Sequence, residues 1–187
     1  LDLYIGIYKL YQKKWLKMEV KSLQLFKHNF TYTIYENFAS IDVKTKNKIK
    51  KIKVKKFKEN SNNFSFTNKN PILENILQDK LGSLFKKLKL KLNNCWVQHY
   101  KKNDYHSMHT HFYTQKDISF VWFIDGDSNS APIRFFDIGY PLINTGKIMT
   151  FEFRPGLLLM FPGFIPHEVP INKSNSRLIV SGNLNEF

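Results

Sequence analysis

The sequence predicts a mainly β protein: a double-stranded β-helix, or jelly-roll, barrel with one or more covering helices. Three observations support this prediction. From Leu88 the apolar residues recur at every second position, and the chain continues as about eight short β-like runs separated by turns. One amphipathic helix precedes these runs, and no helical pattern interrupts them. The 187 residues include 17 Phe and 9 Tyr, which favour pleated surfaces.

The N-terminal part of the chain predicts two strands after a segment of open origin. Residues 1–17 are interpreted either as an upstream or fragment-edge addition or as a genuine N-terminal element, because the chain begins with Leu and Met18 opens a more conventional stretch. We therefore expect residues 18–187 to form a single jelly-roll domain, a length that suits one domain. Within residues 20–38, the runs SLQLF and FTYTIYENF are rich in aromatic and β-branched residues and predict two short strands.

A lysine-rich segment follows, from Lys44 to Asn63. It carries nine Lys and no acid before Glu59, and its apolar residues come at irregular spacing. We expect a solvated edge strand or a mobile loop, since lysines on an edge also discourage edge-to-edge pairing. The alternative is a clamp for an acidic or nucleic-acid substrate.

The clearest helix begins at Asn70-Pro71 and runs through ILENILQDKLGSLFKKL. Asn70 can cap the helix, Pro71 suits its first turn, and Glu74 adds an acid near the N-terminus. The apolar residues share one broad face, so we expect this helix to pack on a sheet. The strands predicted after it are NCWVQHY, MHTHFY, ISFVWFI, PIRFFDI, IMTFEF, GLLLMFP, FIPHEV and RLIVSGN.

Charge and cysteine content restrict the partners and the compartment. The net charge is +14, but only Arg134, Arg154 and Arg177 among the 29 basic residues are arginines, the type favoured for phosphate and base contacts. Nucleic acid therefore ranks below a peptide or a small molecule as a partner. No apolar run reaches the ~18–20 residues of a membrane helix, so no membrane association is expected. Cys95 is the single cysteine, which suits a reducing compartment and predicts a cytoplasmic location, in the host cytoplasm if the chain is phage-encoded.

Three of the six histidines crowd into YHSMHTH. His109 and His111 are two apart, so on a strand they face the same side, whereas His106 has the opposite parity unless a bend intervenes. His167 lies 56 residues after His111, in FPGFIPHEV, and Arg177 follows it by ten. Two ligands from one strand and a third from a distant strand can hold a ferrous ion on one face only, which leaves positions for a 2-oxoacid and O₂. An arginine on the next strand can bind a carboxylate bidentately.

From about Asn94 to Asn183 the chain resembles the 2-oxoglutarate/Fe(II)-dependent dioxygenases. It is closest to the oxygenases common in marine phage and bacterial sequences, near the prolyl-hydroxylase-like group. The matching segments are WVQHYKKNDYHSMHTH, SFVWFIDG, GLLLMFPGFIPHEVP and SRLIVSGNLN. The resemblance implies iron ligands at His109 and His167, a partner for the distal carboxylate of 2-oxoglutarate at Arg177, and a co-substrate contact at Tyr100.

The sequence departs from this family at His111, where the family carries Asp. We expect three-His ligation by His109, His111 and His167. The alternatives are a two-His site with His111 beside the ligands or lining the cavity, and a degenerate site without activity. His106, Trp96 and Asn183 are further candidates for contacts with the ligands or with the substrate.

The expected function is a hydroxylase that uses Fe(II), 2-oxoglutarate and O₂ and couples the decarboxylation of 2-oxoglutarate to oxidation of an unknown substrate. A peptidyl substrate is expected by analogy alone. Nucleic-acid demethylases carry a second Arg six residues after the first, and Asn183 occupies that position. Two alternatives stay open: a three-His cupin-type dioxygenase without 2-oxoglutarate, and a non-catalytic jelly-roll that binds a partner or has a structural role. The position of Arg177 distinguishes them, because only the first function needs it inside the barrel.

Overall fold

The computed structural model of the chain describes residues 21–27, 31–59, 62–68, 70–111, 117–138 and 143–186. The N-terminal segment 1–17 lies outside these ranges, as do the last two residues of the predicted strand MHTHFY. Two helices and twelve strands occur in the described part of the chain. The bounds of the elements before the barrel are β1 (Lys21–Lys27), β2 (Thr31–Phe38), α1 (Val43–Lys50), β3 (Lys55–Glu59), β4 (Asn62–Asn68) and α2 (Pro71–Lys87).

Eight strands follow α2, and each overlaps one of the eight predicted runs. They are β5 (Leu90–Tyr100), β6 (Tyr105–His109), β7 (Ile118–Asp125), β8 (Ile133–Ile138), β9 (Ile143–Phe151), β10 (Leu157–Pro162), β11 (His167–Val169) and β12 (Arg177–Glu186). The run MHTHFY is the poorest match, because β6 begins at Tyr105 and ends at His109, so that His111 lies beyond the strand.

These strands form two antiparallel sheets that share a jelly-roll topology. The hydrogen-bonded order is β1-β2-β10-β7-β12-β5-β4-β6-β11-β8-β9, and β3 pairs with β4. β5, β7, β10 and β12 lie in one sheet and β6, β8, β9 and β11 in the other, so consecutive strands mostly cross between them. β4 pairs with both β5 and β6 and joins the sheets at one corner. The predicted fold class is confirmed.

α2 is the covering helix that the sequence predicts. The side chain of Asn70 accepts hydrogen bonds from the backbone N–H groups of Ile72 and Leu73, and Pro71 opens the first turn. Its apolar face is buried, and α2 packs on β5. The helix ends where Leu88 caps its last turn. No helix in the described ranges is both long and apolar enough to cross a membrane.

α1 corrects the expectation of an edge strand or loop over the whole lysine-rich segment. The Asp42 carboxylate caps it by accepting hydrogen bonds from Thr45 N (2.8 Å) and Thr45 Oγ1 (2.7 Å). Thr45 and Ile49, four apart, are its buried residues. Two core-facing residues in eight are too few for a helical period to stand out from the lysines. The edge-strand expectation holds further on, since β3 pairs with β4 alone within the described ranges.

Alternation along β5 separates two hydrophobic cores. Cys95 and Val97 face α2 and belong to the core between the helices and the larger sheet. Tyr100 belongs to the second core, which lies inside the barrel. β12 divides in the same way, with Val180 on the helix side and Ile179 on the barrel side. The residues of opposite parity to Cys95 and Val97 therefore face the barrel interior, where the candidate site lies.

Candidate metal centre

Three histidines converge where β6 ends and β11 begins. His109 is the last residue of β6 and lies directly opposite His167, the first residue of β11. His111 lies two residues beyond β6, where its backbone N–H donates to the carbonyl of Gly163 (2.8 Å). One nitrogen of each ring lies within 4.8 Å of the other two, and no acid of the described ranges joins this group. The structure thus brings together the three residues that the sequence selected.

Backbone carbonyls fix the orientation of two of these rings. His109 Nδ1 donates to the carbonyl of Ser107 and His167 Nδ1 donates to that of Ile165, both at 2.8 Å. A carbonyl only accepts, so Nδ1 carries the hydrogen and Nε2 keeps its lone pair. The Nε2 atoms of His111 and His167 are 3.1 Å apart. Two ligands at right angles, each about 2.1 Å from a metal, would lie about 3.0 Å apart, so this spacing suits adjacent positions on one ion.

Burial keeps these imidazoles neutral at physiological pH. It lowers the pKa of His111 to about 3, with a further contribution from His109. It also lowers the pKa of His109, and it lowers that of His167 well below the ordinary value. Metal binding requires the neutral form. The three rings therefore present lone pairs without first having to release protons.

A β-bulge brings His106 to the same cluster. His109 pairs with His167 while His106 pairs with Val169, so three residues of β6 span two residues of β11. The extra residue in β6 changes the alternation of side chains, so that His106 faces the same side as His109 although the two residues are three apart. Its ring stacks on that of His109, with centroids 3.7 Å apart and planes 14° apart.

Two residues that the sequence analysis missed hold His106 in place. Ser181 Oγ donates to Gln98 Oε1 (3.1 Å), which leaves the Gln98 amide nitrogen facing His106 Nδ1 at 3.4 Å. The amide donates, so the hydrogen of His106 resides on Nε2. Burial lowers the pKa of His106 to about 2. Gln98 shares the parity of Trp96 and Tyr100 on β5, which places it on the barrel side but does not by itself indicate its partners.

Of the two remaining candidate residues, Trp96 lies beside the histidine cluster and Asn183 bonds to other residues of the barrel strands. The Trp96 ring lies 5.5 Å from that of His111, at the edge of the cluster. The Asn183 side chain accepts from Ser119 Oγ (2.9 Å) and donates to Asn94 Oδ1 (2.8 Å). These contacts connect β12 to β7 through Ser119 and to β5 through Asn94. They use both the oxygen and the nitrogen of the Asn183 amide.

Arg177 and Tyr100 form a second polar site inside the barrel. They lie opposite each other on β12 and β5, and both are 0% exposed. Arg177 Cζ lies 4.7 Å from the centre of the Tyr100 ring, and Arg177 Nε donates to the carbonyl of Ala131 (2.7 Å). Arg177 Nη1 and Nη2 and the Tyr100 hydroxyl have no hydrogen-bond partner within the described part of the chain.

This second site has the donors of a carboxylate receptor. Burial lowers the pKa of Arg177 to about 10, so the guanidinium is still a cation at neutral pH. Burial raises the pKa of Tyr100, which keeps its hydroxyl protonated and able to donate. A buried cation without a counter-charge is costly, so the free nitrogens and the hydroxyl together suit a planar anion.

Asn172, also missed from the sequence, supports the Arg177 site. It is 0% exposed, and its Oδ1 accepts from the backbone N–H of Ala131 (3.0 Å), whose carbonyl in turn accepts from Arg177. Its Nδ2 reaches the carbonyls of Tyr100 (3.3 Å), Lys101 (3.1 Å) and Ser174 (2.9 Å). One side chain therefore links three segments around the guanidinium.

Comparisons with known proteins support the fold through solved structures. No protein-family profile matches the chain, and no curated protein matches it. Many solved structures do match. The non-heme alpha ketoglutarate dependent epimerase SnoN from nogalamycin biosynthesis has a TM-score of 0.64 at 12% identity, covering 82% of this chain and 76% of its own.

Two further structures show the same likeness. A Pseudomonas putida prolyl-4-hydroxylase has a TM-score of 0.60 at 14% identity, covering 82% of this chain and 92% of its own. HygX from Streptomyces hygroscopicus, with nickel, 2-oxoglutarate and hygromycin B bound, has a TM-score of 0.63 at 9% identity and covers 82% of each chain. The chain therefore has the fold seen in 2-oxoglutarate/Fe(II) oxygenases, and a particular likeness to phage and bacterial members stays a prediction.

Proposed function

We propose that the chain is a 2-oxoglutarate- and Fe(II)-dependent oxygenase that couples the decarboxylation of 2-oxoglutarate to oxidation of a second substrate. Arg177 carries this proposal. It is a fully buried cation with two unpartnered nitrogens, in the same barrel as a cluster of three histidines. A jelly-roll that only bound a metal would have no use for this cation, whereas a dicarboxylate co-substrate needs a receptor for its distal end.

The three imidazoles are suited to hold Fe(II) through Nε2 of His109, Nε2 of His167 and one ring nitrogen of His111. Iron and 2-oxoglutarate, when bound, supply the activation of O₂ and the oxidising power. His111 replaces a carboxylate of the usual set with a neutral ring, so the ligand set leaves the ion one charge more positive. The carbonyls of Ser107 and Ile165 hold two of the rings in position before the metal arrives.

Arg177 and Tyr100 are suited to bind the distal carboxylate of 2-oxoglutarate. The guanidinium presents two parallel N–H groups, and the hydroxyl adds a third donor. The rings of Phe123 and Phe153 lie 5.5 Å from Arg177 Cζ and keep water from it. A dry surrounding strengthens the attraction between guanidinium and carboxylate.

The second substrate is proposed to be a peptide or a small molecule. This part of the proposal is by analogy, with a prolyl-4-hydroxylase and with a structure that holds hygromycin B. Asn183 supports a lower rank for nucleic acid, since a demethylase would carry an arginine there and the asparagine instead bonds Ser119 and Asn94.

A three-His dioxygenase without 2-oxoglutarate is the second candidate. The observation that favours it is the absence of an acid from the histidine cluster in the described ranges. It gives no role to the free nitrogens of Arg177, which is why it ranks below the first candidate.

One titration separates the two candidates. Fe(II) and then 2-oxoglutarate are added to the metal-free protein under anaerobic conditions, and the visible charge-transfer band of the chelate is followed. Admission of O₂ should then give succinate. Fe(II) binding without the band and without succinate would show the proposal to be wrong and would favour the second candidate, which needs the metal but no 2-oxoglutarate.

A pair of arginine variants tests the receptor. Arg177→Ala should abolish the 2-oxoglutarate band while Fe(II) still binds, because only the carboxylate loses its partner. Arg134→Ala is the matched control, since Arg134 is half-exposed and pairs with Glu168 on the sheet surface. It should leave both the band and the metal affinity unchanged.

A further inference from the structure

The lysines between α1 and β4 fall into two sets. Lys46 Nζ and Lys50 Nζ bind the Asp125 carboxylate at 3.1 and 2.6 Å, and Lys56 Nζ binds the buried Asp104 at 2.6 Å. These three neutralise acids of the barrel. Lys56 also lines a groove, together with four exposed lysines that have no acidic partner among the described residues: Lys48, Lys51, Lys53 and Lys55.

This lysine groove has no acid among the described residues that line it. Its volume is about 830 Å³, within the range of about 300–1,000 Å³ that ligand clefts occupy. The exposed Ile72 gives it an apolar patch, Ile52 beside it is largely buried in the core, and Asn70 and Thr67 are its neutral polar lining. The groove therefore combines four unpaired positive charges with an aliphatic surface.

An unpaired strand edge borders the groove. β3, which carries Lys55, pairs with β4 on one side and with no other strand in the described ranges. No other described strand pairs with the backbone N–H and C=O groups of its second side, and Lys55 and Lys56 at its start line the groove. Addition of a strand to such an edge is a common way of binding extended peptides. Lysines on such an edge repel a second basic strand and attract an acidic one.

We propose that the lysine groove and the open edge of β3 bind an extended acidic peptide segment of another protein. Aspartate and glutamate would meet the four unpaired lysines, an aliphatic residue would lie on the exposed Ile72, and the peptide backbone would pair with β3. A nucleic-acid strand is disfavoured because no aromatic residue for base stacking and no arginine line the groove. This inference goes beyond the proposed oxygenase activity and needs neither metal nor co-substrate.

Binding is measured with the metal-free protein and a fluorescent peptide of alternating Glu and Val, at near-physiological salt. The comparison probes are the same peptide with Gln for Glu and a single-stranded RNA of equal charge. The acidic peptide should bind more tightly than either. Equal binding of the Gln peptide, or tighter binding of the RNA, would overturn the proposal.

A matched pair of triple variants locates the site. Lys51→Gln/Lys53→Gln/Lys55→Gln should weaken peptide binding by about tenfold, since each exposed ion pair contributes roughly two- to fivefold. Lys91→Gln/Lys102→Gln/Lys173→Gln removes the same charge from exposed positions outside the groove and should leave the affinity within about twofold. Equal losses in the two variants would show binding to net charge alone and would contradict the proposal.

Amide hydrogen exchange tests the strand addition separately. The bound peptide should slow exchange of backbone amides in residues 55–59, with β8 and β12 as internal references. Unchanged exchange in β3 beside saturating peptide would overturn the edge-pairing part of the proposal. Because the assay omits iron, its failure and the failure of the oxygenase assay are independent results.

Discussion

His109 and His167 face each other across the β6–β11 pair, and each donates its Nδ1 hydrogen to the carbonyl two residues before it. The two rings are thus oriented by their own backbones. Their Nε2 lone pairs are preset toward the space that His111 completes. We expect a site with this degree of preorganisation to bind metal without rearranging the strands that carry it.

His111 decides whether the iron has three protein ligands. Loss of a residue that only supports a metal ligand typically lowers metal affinity by about 10- to 100-fold. His111→Ala removes a ligand itself and should weaken anaerobic Fe(II) binding by more than this. His111→Asp should retain binding, because a carboxylate completes the two-histidine set. His99→Ala is the control, as His99 bonds Ser176 outside the cluster. Parent-like affinity in His111→Ala would show that two histidines suffice.

His106 should act on the metal through the ring of His109. His106→Ala removes the stacked ring and should lower Fe(II) affinity about tenfold. His106→Phe keeps a flat ring at 3.7 Å from His109 and should recover most of that loss. The position of the charge-transfer band is measured beside the affinity, because a loss of stability alone would not move it. If alanine and phenylalanine behave alike, stacking has no part in metal binding.

Tyr100→Phe should change stability and co-substrate binding in opposite directions. The hydroxyl is buried without a partner in the described residues, so its removal should raise the free energy of unfolding of the metal-free protein by about 1 kcal/mol. The same change removes a donor to the co-substrate carboxylate and should weaken 2-oxoglutarate binding about tenfold or more. Urea unfolding and titration of the band measure the two effects. A destabilised variant with unchanged affinity would contradict both expectations.

Asn172→Ala should cost about 3 kcal/mol or more of unfolding free energy, since it strands the buried N–H of Ala131 and several carbonyls at about 1–3 kcal/mol for each group left unsatisfied. It should also weaken 2-oxoglutarate binding, because the Ala131 carbonyl orients Arg177. Asn129→Ala, at an exposed position of the β7–β8 loop that also carries Ala131, should change neither quantity. Unchanged stability in Asn172→Ala would mean that water replaces its bonds.

Local signals made much of the architecture predictable. The cap of α2 was visible in Asn70-Pro71, and short apolar runs between turns located the eight strands after it. β7, β10 and β12 are buried along most of their length, rather than alternately, because each lies between the two cores, whereas the start of β6 was predicted three residues too late. The sequence spacing of His109, His111 and His167 likewise predicted that the three rings would lie together, and they do. These features depend on residues close in sequence or on the period of a strand, which the sequence displays directly.

The features that sequence reasoning missed depend on distant partners. Gln98 becomes informative only beside Ser181 and His106, and Asn172 only beside Ala131, because nothing local distinguishes a buried amide that bonds across the barrel. α1 was missed because its stability rests on the Asp42 cap and two buried residues among lysines. Asp42 also forms a salt bridge with Lys80 of α2, and no local sequence pattern predicts this contact.

Because of the bulge in β6, two different sequence spacings of His106 and His109 can place their rings on the same face of the strand. Since the extra residue lies between His106 and His109, a chain lacking the half-exposed Met108 would regain a regular strand and still present all three rings of this segment on one face. We therefore expect a deletion of one residue at this point to preserve the arrangement of the rings. The residues that pair with β6, His167 and Val169, are therefore a better criterion for recognising related sequences than the number of residues between His106 and His109.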